Sequence, residues 1–177
     1  MDIRIIDDAR KDDINIPNEP FSVFGRMTPT YICGKWGYDI SYFSDDEITD
    51  MCFPNENYDY EKMKTNHVFI GAYEDGKCVG LAILQDAFFK YMYLYDLKVS
   101  MKYRKNGVGA ALIRKAHEVC ALRGYRGIYT IGQDNNLAAC LFYLKSGFVI
   151  GGLDTNVYKH TSQEEKSDIL FYSDGQG

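Results

Sequence analysis

The sequence predicts an α/β domain, more fully an α+β one, built on a mixed and mostly antiparallel sheet with helices packed against it. Three observations carry that expectation. Two apolar runs, HVFIGAY (His67–Tyr73) and KCVGLAIL (Lys77–Leu84), flank Asp75-Gly76, a hairpin signal. A strand pattern then passes directly into an amphipathic helix pattern between Tyr91 and Gly124. Strand and helix patterns keep alternating to Leu153, which requires the two strands flanking the first helix to lie parallel.

Through Pro54 the chain mixes short apolar runs, such as Tyr38–Phe43, with the turn-prone INIPNEPF, and no element boundaries are predicted there. Tyr58–Lys64 reads as a short polar helix, and the hairpin follows it. Tyr91–Val99 is the third strand. Val108, Ala111, Leu112, Ala116, Val119 and Cys120 then recur at helical spacing until Gly124. Gly127–Ile131 is a strand, Leu137–Lys145 a second helix closed by Gly147, and Phe148–Leu153 a last strand. The order of this half is therefore β-β-β-α-β-α-β. With no repeat, low-complexity tract or linker, residues 1–177 are expected to form a single domain.

The balance of 25 acidic against 20 basic residues, a net charge of -5, gives no general attraction to nucleic acid or an anionic membrane and suits a small cationic partner. The opening MDIRIIDDARKDD lacks the apolar run of a signal peptide, and no stretch reaches the length of a membrane span, so a cytoplasmic location is expected. Cys33, Cys52, Cys78, Cys120 and Cys140 are odd in number and lack C-x-x-C spacing, as reduced thiols would be. With His67, His117 and His160 equally isolated, no metal site is expected.

The segment RKNGVGA (Arg104, Lys105, Asn106, Gly107, Val108, Gly109, Ala110) lies at the strand-to-helix junction. Gly107 and Gly109 let the backbone approach an anion, so that successive amides and the helix N-terminus face a phosphate, with Arg104 and Lys105 adding charge. A nucleotide P-loop is excluded because Ala110-Ala111 stand where Lys and Ser/Thr would be. A dinucleotide fingerprint is excluded by Leu112 in place of its third glycine.

What remains resembles the R/Q-x-x-G-x-G/A signature of the GNAT acetyltransferase superfamily. A second segment, NLAACLFYLKSGF (Asn136–Phe148), is similar to that superfamily's N-x-x-A-x-x-x-Y-x-x-x-G-F, with Ala139 and Tyr143 at fixed positions. The resemblance implies acetyl-CoA as co-substrate and a sheet whose parallel strand pair splays around the coenzyme. It implies that loop amides bind the pyrophosphate, that the backbone of Leu97, Lys98 and Val99 pairs with the pantetheine arm, and that Asn136 contacts the coenzyme on the far side. Tyr143 would lie near the thioester sulfur and protonate or hydrogen-bond the leaving thiolate.

An alkylamine acceptor, with a pKa near 10.4, must lose a proton before it attacks. Asp96, on the strand face opposite Leu97 and Val99 and among several tyrosines, is the first candidate base; a structural hydrogen-bond acceptor or cation anchor is the other reading of it.

Pro17–Phe21 (P-x-E-P-F), Trp36, Y-x-x-D-x-x-V at Tyr93–Val99, Gln133–Tyr143 and Asp154-Thr155 resemble a narrower group, the streptothricin acetyltransferases. That resemblance implies acetylation of an amine on the β-lysine arm of streptothricin, and so antibiotic resistance; it also allows a homodimer. Glu19 and Asp39 are candidate ammonium anchors, and Asp45-Asp46-Glu47 is the nearest thing to the long acidic run of some relatives. Other acceptors, a polyamine, a protein lysine or another small amine, fit the same coenzyme site, as does a non-catalytic coenzyme A sensor.

Overall fold

The structure, a computed structural model, describes residues 1–87 and 89–175. In chain order its elements begin with β1 (Asp2–Ile5), a 3-10 segment (Asp8–Asn15), β2 (Phe21–Val23), β3 (Gly25–Ile32), β4 (Lys35–Tyr42), β5 (Thr49–Met51) and α1 (Tyr60–Met63). There follow β6 (His67–Glu74), β7 (Lys77–Gln85), β8 (Tyr91–Val99), a 3-10 turn (Met101–Tyr103), α2 (Val108–Leu122), β9 (Gly127–Gln133), α3 (Leu137–Lys145), β10 (Val149–Asp154) and β11 (Asp168–Asp174). They gather into two compact units.

The first unit holds Met1–Glu19, Cys52–Ile128 and the stretch from Asp174. Its strands lie in the order β1-β6-β7-β8, each pair antiparallel. β9, whose first two residues belong to this unit, is the next neighbour of β8. Because α2 carries the chain back along the sheet, β9 runs parallel to β8, giving the mixed sheet that the alternating pattern predicts. The β6–β7 turn closes through Asp75 (φ 49°) and Gly76 (φ 78°), the pair of left-handed residues that a tight hairpin turn needs.

Central strands β6 and β7 are buried along most of their length, which is why they read as apolar runs rather than alternating ones. On one face Phe69, Leu81 and Ile83 pack with Ile6 and Ile14, flanked by Ile16, Tyr58, Tyr60 and Met63. α2 packs on β7, β6, β8 and β1, burying Val108, Ala111, Leu112, Ile113, Ala116, Val119 and Cys120. Its close approach depends on Gly80: a Cβ there would lie 3.0 Å from Val108 Cγ1 and 3.1 Å from Leu112 Cδ1. The helix stops at Gly124 (φ 79°), where the Tyr125 amide donates to Cys120 O at 2.9 Å and the Gly124 amide to Ala121 O at 3.1 Å, satisfying its last carbonyls.

The second unit holds Pro20–Met51 and Tyr129–Ser173. Here the order is β9-β11-β10, with β10 and β11 antiparallel, and two further strand pairs, β2–β5 and β3–β4, form sheets of their own. The β3–β4 ribbon turns through Cys33 (φ 51°) and Gly34 (φ 79°) and presses on the start of α3. A Cβ at Gly25 would come within 2.8 Å of Leu137 Cδ2 and 2.6 Å of Ser41 O. Tyr143, Cys140, Phe148, Ile150, Ile169 and Phe171 are buried in this unit.

From Tyr60 to Asp154 the elements follow the predicted order, with ends moved by a few residues: the short helix is Tyr60–Met63, and β9 extends to Gln133. The N-terminal third, for which no element boundaries are predicted, contains β1 to β5. Here the charged opening residues still make strand β1, because the Ile5 and Ile3 backbone pairs with Ile70 and Ala72 of the buried β6. The expected order also lacks β11, whose register with β10 runs from Val149↔Tyr172 to Asp154↔Asp168.

Candidate active site

In the first unit, the chain leaves β8, makes the 3-10 turn and enters α2 through Arg104–Gly107. Lys105 (φ 62°) and Gly107 (φ 80°) both adopt left-handed conformations. The first α-helical bond of α2 runs from the Ala111 amide to Gly107 O at 3.0 Å, and no side chain caps this end. The amides of Val108, Gly109 and Ala110 therefore point out of the helix end with no intrahelical acceptor, in a positive local potential suited to a phosphate. Lys105, Asn106 and Gly107 are exposed beside them.

Arg104 is engaged behind the loop. Its Nε donates to Val99 O at 3.0 Å, and its Nη2 donates to Glu19 O at 3.3 Å and lies 3.8 Å from the Glu19 carboxylate. The Met101 amide donates to the same carboxylate. Glu19, weighed from sequence as an ammonium anchor, thus braces the loop instead, because Arg104 and a backbone donor already claim its charge. Asp39, the other such candidate, lies exposed on β4 of the second unit, opposite Thr28.

Asp96 belongs to a buried charge network. The β7–β8 register jumps from Ile83↔Asp96 to Leu84↔Leu94, so Tyr95 is a bulge that simple alternation does not anticipate. Beyond it, Asp96 and Lys98 lie opposite Ile83 and Leu81, whereas Leu97 and Val99 lie opposite Ala82 and Gly80. Asp96 Oδ2 accepts from the Tyr58 hydroxyl at 3.0 Å and lies 3.2 Å from Lys98 Nζ, which also binds the Glu56 carboxylate. Burial raises the Asp96 carboxyl above its ordinary range, opposed by Lys98 and the Tyr58 hydroxyl and reinforced by Glu56. Burial also pushes Glu56 upward, but its bonds to Lys98 and Asn18 hold it below the usual carboxylate range. For Tyr58, burial and the two carboxylates raise the phenol. Tyr58 also lines an open groove of about 310 Å³ with Lys11, Asp12, Asn15, Asp59, Tyr60 and Glu61.

In the second unit, Asn136 is the N-cap of α3, its side chain accepting from the Ala139 amide at 3.3 Å. Tyr143 is 8% exposed, with Phe148 and Phe171 each at 5.4 Å between ring centroids and Phe142 at 5.6 Å. Before the cap, buried Asp134 accepts from Arg26 at 2.7 Å, and its backbone carbonyl accepts the Met27 amide at 2.9 Å. Burial raises Asp134, opposed by its hydrogen bond with Ser167 and by Arg26. Burial also pushes the Cys140 thiol up to about 12, which removes it as a thiolate nucleophile at neutral pH. Among the described residues no group of three or more His, Cys, Asp or Glu could hold a metal ion.

With these features in place, the Acetyltransferase (GNAT) family matches residues 38–148. The chain belongs to the GNAT acetyltransferase family. It is an acetyl-CoA-dependent N-acetyltransferase of the streptothricin acetyltransferase type. Streptothricin acetyltransferase A of Bacillus subtilis is 35% identical over 90% of this chain and 92% of its own length. The crystal structure of a Bacillus anthracis protein provisionally assigned as a streptothricin acetyltransferase, in complex with acetyl coenzyme A, superposes with a TM-score of 0.86 at 29% identity, covering 98% of each chain. Nourseothricin acetyltransferase shares the fold, with a TM-score of 0.80 at 20% identity, over 99% of this chain and 98% of that one.

In this GNAT enzyme the structure brings Asp96, Leu97, Lys98, Val99 and Arg104 to Ala110 together within the first unit, while Asn136, Ala139 and Tyr143 share α3 in the second. Sequence reasoning missed Glu56 and Tyr58, which lie far upstream of Asp96 and Lys98 and meet them only through the fold. One signal was present: Asp96 and Lys98, two apart on a strand, must share a face. No helix among the described residues is long and apolar enough to cross a membrane.

Proposed function

We propose that this enzyme acetylates an amine on the β-lysine arm of streptothricin and so confers resistance by removing one positive charge. The observation that carries this reading is the 35% identity to Streptothricin acetyltransferase A along nine tenths of the chain. We assign both units to one acetyltransferase domain, 1–177, because the family match at 38–148 runs through segments of both. Exposed free thiols at Cys33 and Cys52 suit the cytoplasm. The homodimer that the resemblance allows is testable by sedimentation.

In this reading the amides from Lys105 to Ala110 hold the pyrophosphate of acetyl-CoA, the Leu97–Val99 backbone pairs with the pantetheine arm, and Asn136 and Ala139 serve the coenzyme from α3. The acceptor arrives as an ammonium. One proton leaves it for Asp96, directly or through water; the nitrogen lone pair then attacks the thioester carbonyl. As the tetrahedral intermediate collapses, the C–S bond breaks and Tyr143 gives its hydroxyl proton to the departing thiolate, regaining one from the acylated nitrogen. Free coenzyme A and a neutral amide result. Burial moves the Asp96 carboxyl upward, towards the pKa of the amine, as a carboxylate base for an ammonium requires.

The test is release of free thiol from acetyl-CoA with streptothricin, spermidine and a lysine peptide in parallel. Turnover with streptothricin is expected. Silence with streptothricin and turnover of another amine would transfer the reading to that amine, and coenzyme binding without any turnover would leave a sensor.

A second expectation concerns the brace behind the loop. Glu19→Ala removes the acceptor of the Met101 amide and the ion pair of Arg104 and should weaken acetyl-CoA binding about five- to tenfold, on the order of 1 kcal/mol, with kcat little changed. Calorimetric titration with coenzyme A checks it; an unaltered Kd would show the loop holds its shape without Glu19.

A further inference from the structure

Lysine is almost never buried without a reason, yet the Lys98 side chain is 9% exposed on β8. The Asp96 side chain is 15% exposed and that of Glu56 34%. Among the described residues, the charged and titratable groups that act most on Asp96 are Lys98 from its own strand, and Glu56 and Tyr58 from the segment before α1. This segment is fixed in place. The Asn15 side chain donates to Tyr58 O at 3.0 Å and accepts the Tyr58 amide at 2.8 Å, while Asn18 Nδ2 donates to Glu56 Oε2 at 3.0 Å. Two donors, Tyr58 and Lys98, therefore converge on a single oxygen of Asp96, and Glu56 holds Lys98 from the other side.

With both carboxylates ionised the network carries two negative charges and one positive. A lone buried pair would already be neutral; the second carboxylate leaves a surplus negative charge that an arriving cation would match. The acceptor supplies a cation of the right class, a primary ammonium. We propose that Lys98, steadied by Glu56, is a positioning residue that keeps Asp96 a carboxylate oriented for the acceptor's ammonium, with Tyr58 as the second donor. This rests on Asp96 serving the acceptor as assigned above. Lys98 was expected to matter only through its backbone; here its side chain sets the state of the neighbouring carboxylate.

The sign of the pH effect follows. Burial disfavours the charged form of Asp96, and Lys98 opposes that effect. Removing Lys98 moves the Asp96 titration to higher pH, so a smaller fraction is ionised on the acid side of the rate profile. In Lys98→Met, kcat/KM at the acid edge should fall about tenfold relative to its alkaline plateau, because an opposite charge within about 4 Å commonly moves a carboxyl by a unit or more. Lys98→Arg should restore the wild-type profile.

The experiment pairs this profile, measured with whichever amine turns over, with carboxyl carbon NMR titration of aspartate-labelled full-length protein. The proposal expects the Asp96 titration and the acid limb to move upward together in Lys98→Met and to return in Lys98→Arg. An unmoved Asp96 titration overturns it while leaving the acetyltransfer reading intact. A moved titration with a fixed acid limb overturns the link between Asp96 and the acceptor. Should Lys98→Met fail to fold, Tyr58→Phe removes the other donor without burying a new apolar chain, and the same joint upward movement is expected. Separately, absence of turnover with streptothricin alone would refute that acceptor and not the network, which the NMR titration still reads.

Discussion

Tyr143→Phe should lower kcat for acetyl transfer about a hundredfold and leave the Kd for acetyl-CoA within about twofold. The asymmetry follows from the proposed role of the residue together with the packing of its ring. Its ring is held on α3 by Phe148 and Phe171 at 5.4 Å and by Phe142 at 5.6 Å, and its Cε2 would lie 3.7 Å from a Cβ added at Gly132. Phenylalanine keeps that packing and removes only the hydroxyl, so the core and the cap at Asn136 should persist. In the role proposed for Tyr143, what is lost is a proton for the thiolate, which is needed when the C–S bond breaks and not when the coenzyme binds. General acid catalysis contributes a factor of about 10² to 10⁴, and water can replace part of it, which places the expectation at the lower end. Steady-state kinetics with direct titration of coenzyme A separates the two quantities. An unchanged kcat would remove Tyr143 from the chemistry, and a matched loss in Kd would make it a binding residue instead.

How much of this was legible in advance differs between the halves of the chain. The Asp75-Gly76 turn, the Gly107 entry to α2 and the Gly124 stop are local events, each set by one residue's access to positive φ, and sequence reads such events well. The α3 segment was equally plain, because Asn136 caps and Leu137, Cys140 and Tyr143 recur on one face. The β3–β4 ribbon was not legible. Most of its outer half is exposed, so burial imposes no alternation to read, and its Cys33-Gly34 turn departs from the usual Asn-Gly or Asp-Gly signal. β1 was hidden for another reason, since its strand character comes from the partner strand β6 and not from its own side chains. In the site, Asp96 was found by residue type and place, but its partners Glu56 and Tyr58 lie about forty positions upstream, and only tertiary folding joins them. Glu19 reads from sequence only as one candidate ammonium anchor, because a carboxylate's charge alone does not tell whether an arginine already pairs with it.

The packing of α2 on the sheet yields the largest effect on stability. Gly80→Val should destabilise the protein by about 2 kcal/mol, a fall in Tm of roughly 5 °C, and weaken acetyl-CoA binding as well. The position has no room: the first added carbon alone would meet Val108 Cγ1 at 3.0 Å, Leu112 Cδ1 at 3.1 Å and Lys98 O at 3.3 Å. Val108 and Leu112 are 3% and 0% exposed, so neither side chain has solvent to swing into. The relief is a shift of α2 away from β7, and the end of α2 that moves carries the amides of Val108, Gly109 and Ala110. Stability and coenzyme affinity should therefore fall together. Gly152→Ala is the control, since its added carbon would meet only Leu170 side-chain atoms at 3.5 to 3.6 Å, an ordinary contact, and it should cost about 0.5 kcal/mol or less. Thermal unfolding and coenzyme titration of both variants decide the matter. A Gly80→Val protein of normal Tm would show that α2 yields without cost; a lowered Tm with unchanged affinity would show that the loop moves independently of the helix it begins.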